Sequence, residues 1–322
     1  MGVTKLNSFI CASCSNGVRK AHLSEFAGKR VSVDASIFMF RYKAKNCLLE
    51  NMFNLVNLLK KHRIVPCFVF DGKPPEEKKD TLAARREAKQ RAADEYAQCL
   101  AMMETDLSEE EAQELTRRME VLKTKMTRIN QVDVQNVKDL LTAMGVTWVT
   151  ACGEADGLCA KMAIRKHTDA VMSEDMDMFL FGVPMVWRHI SLLQETVIMY
   201  DLKTICSELN LTPQDLKEIC VASGTDYNAN VNKSTNLANT IKLFRRFQKS
   251  GTKDQFYEWL DENTDYIDNM CMLYSHLSFF DPQFVYMNQK VVGKRGTLRY
   301  KNKDMDLLRS VMAKENFYFC LT

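Results

Sequence analysis

Short apolar runs recur along this chain, and several stop abruptly at an acid or a glycine turn. VSV closes on Asp34 and CFVF closes on Asp71. Runs of this length, rich in β-branched and aromatic residues and bounded by turn residues, read as buried strands. The pattern predicts a strand over Val31–Asp34 after the turn Gly28-Lys29-Arg30, then an apolar helix through Leu48–Leu59. A second strand over Pro66–Asp71 is ended by Gly72-Lys73-Pro74-Pro75. Strand, helix and strand in that order predict a parallel pair. The sheet resumes at Val146–Thr150 and Ala170–Met172, with a helix from about Ala155 to Lys166 between them, and a further strand is expected at Thr196–Tyr200.

Between about 76 and 131 the pattern changes. The segment is rich in charge and in strong helix formers and contains no Gly or Pro, and Ser108 with Glu111 forms a capping box for a second helix within it. This is a helical excursion from the sheet. Later, Thr212-Pro213-Gln214-Asp215 opens another helix with a capping Thr and a proline in the first turn. From there the chain reads as mostly helical to about 278. The fold class is therefore α/β: a mostly parallel central sheet flanked by helices, with a helical insertion at about 76–131 and a helical C-terminal portion at about 210–280. We read residues 1–322 as one domain.

The chain's 322 residues allow one large domain or two ordinary ones, and 46% apolar residues support a sizeable core rather than global disorder. The net charge of +3 is weak, but its distribution is uneven. Residues 290–303 and 233–253 each carry six Lys or Arg and no acid; the second cluster includes Lys233, Lys242, Arg245 and Arg246. A charge run alone is usually a solvated helix face. Eleven cysteines lie mostly in apolar runs, as buried small residues do in a reducing compartment. The CxxC of Cys11 and Cys14 has no second pair to complete a zinc set. No run approaches the ~18 apolar residues that span a bilayer, no secretory signal opens the chain, and Leu6 breaks the myristoylation pattern. The expectation is an intracellular protein, nuclear or cytoplasmic, with no membrane.

Seven acids mark the ends of the apolar runs: Asp34, Asp71, Glu154 and Asp156 in GEAD, Asp175 and Asp177 in SEDMD, and Asp226 in SGTD. A lone Asp after a strand is more often a turn or cap residue than a ligand. Seven in one order are harder to produce by turn chemistry. Carboxylates at the ends of parallel strands face the ligand crevice, where they repel one another or demand a cation. Hard divalent metals take oxygen ligands, and a pair of them suits phosphodiester hydrolysis.

The motifs VDASIFMFRY, FVFDGKPPEEK, ARREAKQRA, GEADGLCA, SEDMDMFLFG with RHI, and CVASGTDYN together resemble the structure-specific 5′ nucleases, the family of flap endonuclease and the xeroderma-type repair nucleases. The match runs over nearly the whole chain. It implies a metal-dependent DNA endonuclease and 5′ exonuclease that acts as a monomer at single-strand/duplex junctions such as 5′ flaps. It implies two Mg²⁺ ions, with Mn²⁺ able to substitute. Asp34, Asp71, Glu154 and Asp156 would surround one ion, and Asp175, Asp177 and Asp226 the other. Lys78 and Arg85 would reach the scissile phosphate from the foot of a helical arch over 76–131. Gly2 would lie near the cleavage site, Phe40 would stack on a nucleotide, and Lys233, Lys242, Arg245 and Arg246 would grip duplex backbone. Phe40 read from its residues alone is a core position.

Two departures are visible. The family pattern Glu-Ala-Glu is Glu154-Ala155-Asp156 here, one methylene shorter. The glycine-rich hairpin that binds duplex and potassium is replaced by NANVNKSTNLANTIKLFRRF, which has no glycine. Side-chain cations then substitute for close backbone approach, and potassium binding stays open. The FYFCLT segment lacks a recognisable sliding-clamp motif. Related specificities for gaps, bubbles or four-way junctions remain alternatives, as does a silent nucleic-acid-binding scaffold. The retained acid cluster argues against the scaffold.

Overall fold

In the computed structural model, seven strands form one sheet in the order β1-β7-β6-β5-β2-β3-β4. The structure describes residues 3–73, 79–103, 108–225, 235–252, 254–283, 285, 287 and 298–317. The strands are β1 (Val18–His22), β2 (Arg30–Asp34), β3 (Val65–Phe70), β4 (Thr147–Thr150), β5 (Ala170–Met172), β6 (Met185–Ser191) and β7 (Thr196–Asp201). Strands β6, β5, β2, β3 and β4 run parallel. The β6–β7 hairpin and the edge strand β1 are antiparallel additions. The α/β, mostly parallel expectation holds.

The helices are α1 (Leu6–Ser13), α2 (Ala35–Lys43), α3 (Leu48–Lys61), α4 (Lys79–Met103), α5 (Glu109–Met126), α6 (Gln131–Ala143), α7 (Ala155–Ile164), α8 (Leu202–Leu209), α9 (Pro213–Ser223), α10 (Leu237–Ser250), α11 (Phe256–Asn263), α12 (Met270–Phe279) and α13 (Met305–Met312).

Two compact units emerge. The first comprises residues 1–35, 56–74 and 146–301, and holds the sheet. Central strands β2, β3 and β5 are almost wholly buried, as expected of parallel strands covered on both faces. Helix α7 packs on β2, β3 and β5. Within this unit α10 buries Phe244 among Phe247 and Phe256, and α9 packs against α8, α10 and α12.

The second unit comprises residues 36–55, 75–145 and 302–322. Helices α4 and α5 pack together around Ala92, Cys99 and Leu122, flanked by Tyr96, Leu115, Met119 and Met126. The Ser108–Glu111 capping box opens α5 as the sequence predicts. In the same unit Glu315 accepts from Leu49 N at 3.0 Å, placing a carboxylate at the N-terminus of α3.

Candidate active site

Topology assembles the site before any side chain does. From β2 the chain moves one way across the sheet to β3 and β4, then returns to place β5 on the other side of β2. This reversal is a topological switch point, and the crevice beyond the carboxyl ends of β2 and β5 is the expected ligand site. Asp34 ends β2, and Ser173 and Asp175 follow β5.

Asp34 is 4% exposed and accepts a hydrogen bond from Ser173 Oγ at 3.2 Å. Burial raises its carboxyl first and the charge of Asp71 adds to that; a hydrogen bond with Asp156 opposes them, Asp175 raises it further and Ser173 lowers it, leaving it pushed up to about 7. Four of the predicted acids are thus within electrostatic reach of one another. Burial and neighbouring like charges both disfavour the ionised form of this carboxyl.

Asp71 is placed by a close approach of two turns. Gly72 N donates to Gly153 O at 2.7 Å, and a Cβ on Gly72 would lie 2.0 Å from the Ala151 carbonyl oxygen. Only glycine fits, so the Asp-Gly of FVFDGKPP carries geometry as well as a turn. The result sets Asp71 Oδ1 2.8 Å from Ala155 N, capping α7. Glu154 is the N-cap residue of α7 yet makes no side-chain cap bond, because Asp71 has taken that role. Asp156, in the first turn of α7, thereby comes within hydrogen-bond reach of Asp34.

The SEDMD acids are held by a folded loop. Asp175 N donates to Ser173 Oγ at 3.2 Å, and Asp175 Oδ1 accepts from Asp177 N at 3.1 Å as the cap of a 3₁₀ turn over Met176–Phe179. Both acids are buried, at 4% and 3% exposure. Cys220 of α9 is raised by burial and then by the Asp177 charge, so Asp177 sits toward α9. Arg188, in the RHI motif and 7% exposed, donates through Nη2 to the Glu174 carbonyl at 2.9 Å. Glu174 in turn accepts from His189 N at 3.0 Å. Arg188 thus buttresses the loop that presents Asp175 and Asp177. Spacing alone gave no sign of this role.

An all-carboxylate donor set fits a hard divalent cation. Among the described residues no three of these acids bring ligand atoms within 4.8 Å of one another.

The second unit contains a cavity of about 560 Å³ lined by Phe40, Arg86, Glu87, Lys89, Gln90, Arg128 and Ile129. Phe40 is 41% exposed, so its reading as a core residue fails. Lys89 Nζ sits 5.0 Å from the Phe40 ring centroid. Arg86, Lys89 and Arg128 were not singled out from sequence; for Arg86 and Lys89 the repeated cations of ARREAKQRA were the available signal, and Arg128 had none. Arg85 lies in α4. On α10, Lys242, Arg245 and Arg246 are exposed opposite buried Phe244. Gly2, Lys78, Asp226 and Lys233 lie outside the described residues.

The chain is similar to known proteins in sequence and in fold. The chain matches the XPG N-terminal domain over residues 1–92 and the XPG I-region over residues 145–226. It is 30% identical over 244 residues to flap endonuclease 1 of Encephalitozoon cuniculi, covering 70% of this chain and 68% of that one. It is 27% identical over 266 residues to flap endonuclease 1 of Eremothecium gossypii, covering 76% of this chain and 66% of that protein's length. Thus the chain spans about two thirds of the relatives it matches. In fold it is similar to the catalytic core of Rad2 in complex with a DNA substrate, with TM-score 0.66, 20% identity, and 98% and 95% of the two chains covered. No helix among the described residues is long and apolar enough to cross a membrane.

Proposed function

We propose that this chain, which belongs to the XPG and flap endonuclease family of structure-specific 5′ nucleases, hydrolyses DNA phosphodiesters at single-strand/duplex junctions such as 5′ flaps. The observation that carries the reading is the carboxyl crevice at the switch point, where Asp34 is buried among Asp71, Asp156 and Asp175. Family membership supports a divalent metal requirement, and we assign two Mg²⁺ ions, with Mn²⁺ as a substitute. Asp34, Asp71, Glu154 and Asp156 would hold one, and Asp175, Asp177 and Asp226 the other. When bound, the metals supply an activated water and neutralise charge on the leaving oxygen.

The chain's own residues do the positioning. Ser173 ties Asp34 to the SEDMD loop, Gly72 brings Asp71 against the start of α7, and Arg188 fixes the Glu174 backbone. Lys78 and Arg85 would supply cations to the scissile phosphate, Arg85 through bidentate contact. Phe40, with Lys89 over its ring and Arg86 and Arg128 lining the same cavity, offers a stacking face beside phosphate-binding cations. Gly2 would lie near the cut. Lys233, Lys242, Arg245 and Arg246 would contact duplex backbone.

The deciding experiment incubates the protein and Mg²⁺ with end-labelled flap, nicked, gapped, bubble, four-way and unbranched duplex DNAs and compares initial rates. The flap is expected to be cut fastest, near the junction, with no cleavage in EDTA and binding without turnover in Ca²⁺. Equal rates on unbranched duplex, or turnover in EDTA, would reject the reading.

A further inference from the structure

Away from the acidic crevice but in the same unit, three segments bring two imidazoles and a carboxylate together. His22 ends β1, His62 follows α3, and Glu195 sits in the β6–β7 turn. One ligand atom from each lies within 4.8 Å of the others. Among the described residues this is the one group of three or more His, Cys, Asp or Glu side chains that converges so closely. His62 Nε2 is 2.7 Å from Glu195 Oε2, and His22 Nε2 is 4.0 Å from the same oxygen. The two rings meet edge to face with centroids 5.2 Å apart.

The backbone holds this corner in place. Glu195 has φ +56, a left-handed conformation that a non-glycine residue adopts at a cost, and its carbonyl accepts from Leu23 N at 2.9 Å. The turn is thereby tied to the residue after His22. The His62 side chain is only 9% exposed, while that of His22 is 47% exposed. Lys61 Nζ bonds the other carboxylate oxygen, Oε1, which leaves Oε2 turned toward both rings. His22 Nδ1 is 2.8 Å from Ser24 Oγ. His22 Nδ1 also accepts from Ser24 N at 3.3 Å as the cap of the turn over Leu23–Phe26; with a metal on Nε2, Nδ1 would instead carry the ring N–H and donate it to Ser24 Oγ.

We propose that His22, His62 and Glu195 bind a first-row transition-metal ion, with zinc as the probe, at a site separate from the nuclease crevice. The donor set is decisive for the class of ion. Imidazole nitrogen and one carboxylate favour zinc-like ions, whereas Mg²⁺ wants oxygen alone. The geometry is close to what is needed. Zinc–ligand distances of about 2.0–2.1 Å in a tetrahedron place ligand atoms about 3.3 Å apart. The observed 2.7 and 4.0 Å bracket that value, so the ion displaces the His62–Glu195 hydrogen bond and draws the exposed His22 ring inward. Three protein ligands leave a fourth position for water. Bound metal would staple the ends of β1 and α3 to the β6–β7 turn.

The test uses the full chain, stripped with chelator and kept in millimolar Mg²⁺ to occupy the carboxylate crevice. Zinc is titrated against a chromophoric chelator, and Co²⁺ is added in parallel for its visible spectrum. The wild type is expected to bind one equivalent more tightly than His22→Ala or His62→Ala, by at least about 10-fold, and zinc should raise Tm in the wild type only. The Co²⁺ spectrum should lack a thiolate charge-transfer band, which excludes the exposed Cys11, Cys152 and Cys271. His22 is half exposed, so His22→Ala keeps the test valid if the His62 variant unfolds. Equal zinc affinity in wild type and His22→Ala, or a thiolate band, would overturn the proposal.

Discussion

Single side chains divide into those that carry chemistry and those that set its geometry. Removing an acid from a repelling cluster relieves strain while deleting a cation ligand, so Asp71→Ala and Asp175→Ala should lose at least about 10²-fold in cleavage while keeping the wild-type circular dichroism spectrum and flap-DNA affinity. Near-normal cleavage by either variant in Mg²⁺ would refute the metal assignment. Asp169 shows the opposite electrostatic logic. Partial burial alone would raise its carboxyl, but hydrogen bonds from the Arg30 side chain and from Arg30 N at 2.8 Å outweigh burial and hold it below its usual value. A depressed folded value means stability that is present at neutral pH and lost as pH falls through that value. Asp169→Asn should therefore cost about 1 kcal/mol at pH 7 for this partly exposed pair, with the difference fading at about pH 2; urea unfolding at both pH values measures it. The acids were legible in the sequence because each ends an apolar run. The structural second role of Asp71, capping α7, was not, because it depends on a contact 84 residues away in the chain.

Helices and strands were legible wherever local signals suffice. The capping boxes at Ser108–Glu111 and Thr212–Asp215 open α5 and α9 where expected. The strand ends at Asp34 and Phe70 follow the carboxylate and Gly72 signals, and β5 falls on Ala170–Met172. Strand β1 gave no such signal, since only one of its five positions is buried and it sits at the sheet edge. Strand β6 was hidden because Arg188 interrupts its apolar pattern, and only the loop carbonyl it reaches makes a buried guanidinium intelligible. Helix α2, with Phe40 exposed and Phe38 buried, lacks a clean apolar stripe. For the α4 region the reading leads to a kinetic expectation. Cations that act on transition-state charge should affect the chemical step more than binding. Arg85→Ala and Lys78→Ala should each slow single-turnover cleavage on the order of 10²-fold, by analogy with removing one preorganised donor, with DNA affinity changed far less. A loss of affinity at an unchanged single-turnover rate would make them simple phosphate contacts.

Across the chain as a whole, the sheet, its switch point and the acids there follow from strand order, whereas the division into two compact units does not, because the second unit draws on three separate stretches of sequence. The proposed grip on duplex DNA rests on a different feature, the glycine-free 228–247 stretch of the sequence. Backbone amides of a glycine-lined turn approach phosphate closely, and side chains obstruct that approach. Helix α10 instead exposes Lys242, Arg245, Arg246 and Lys249 on the face opposite Phe244, with Arg246 packed over Trp259 at 5.9 Å. Cations on a packed helix meet phosphates by charge, and each neutralised phosphate adds about 0.9 to the slope of log affinity against log salt. Replacing Lys242, Arg245 and Lys249 together by Ala should thus flatten that slope by about 2 to 3 and weaken flap binding with little dependence on sequence. These positions are exposed, so thermal stability should barely change. Exchanging KCl for NaCl at equal ionic strength should leave affinity unaltered, since charge alone does not distinguish the two ions. A potassium-specific gain in affinity, or an unchanged salt slope in the triple variant, would place the duplex contact elsewhere than on α10.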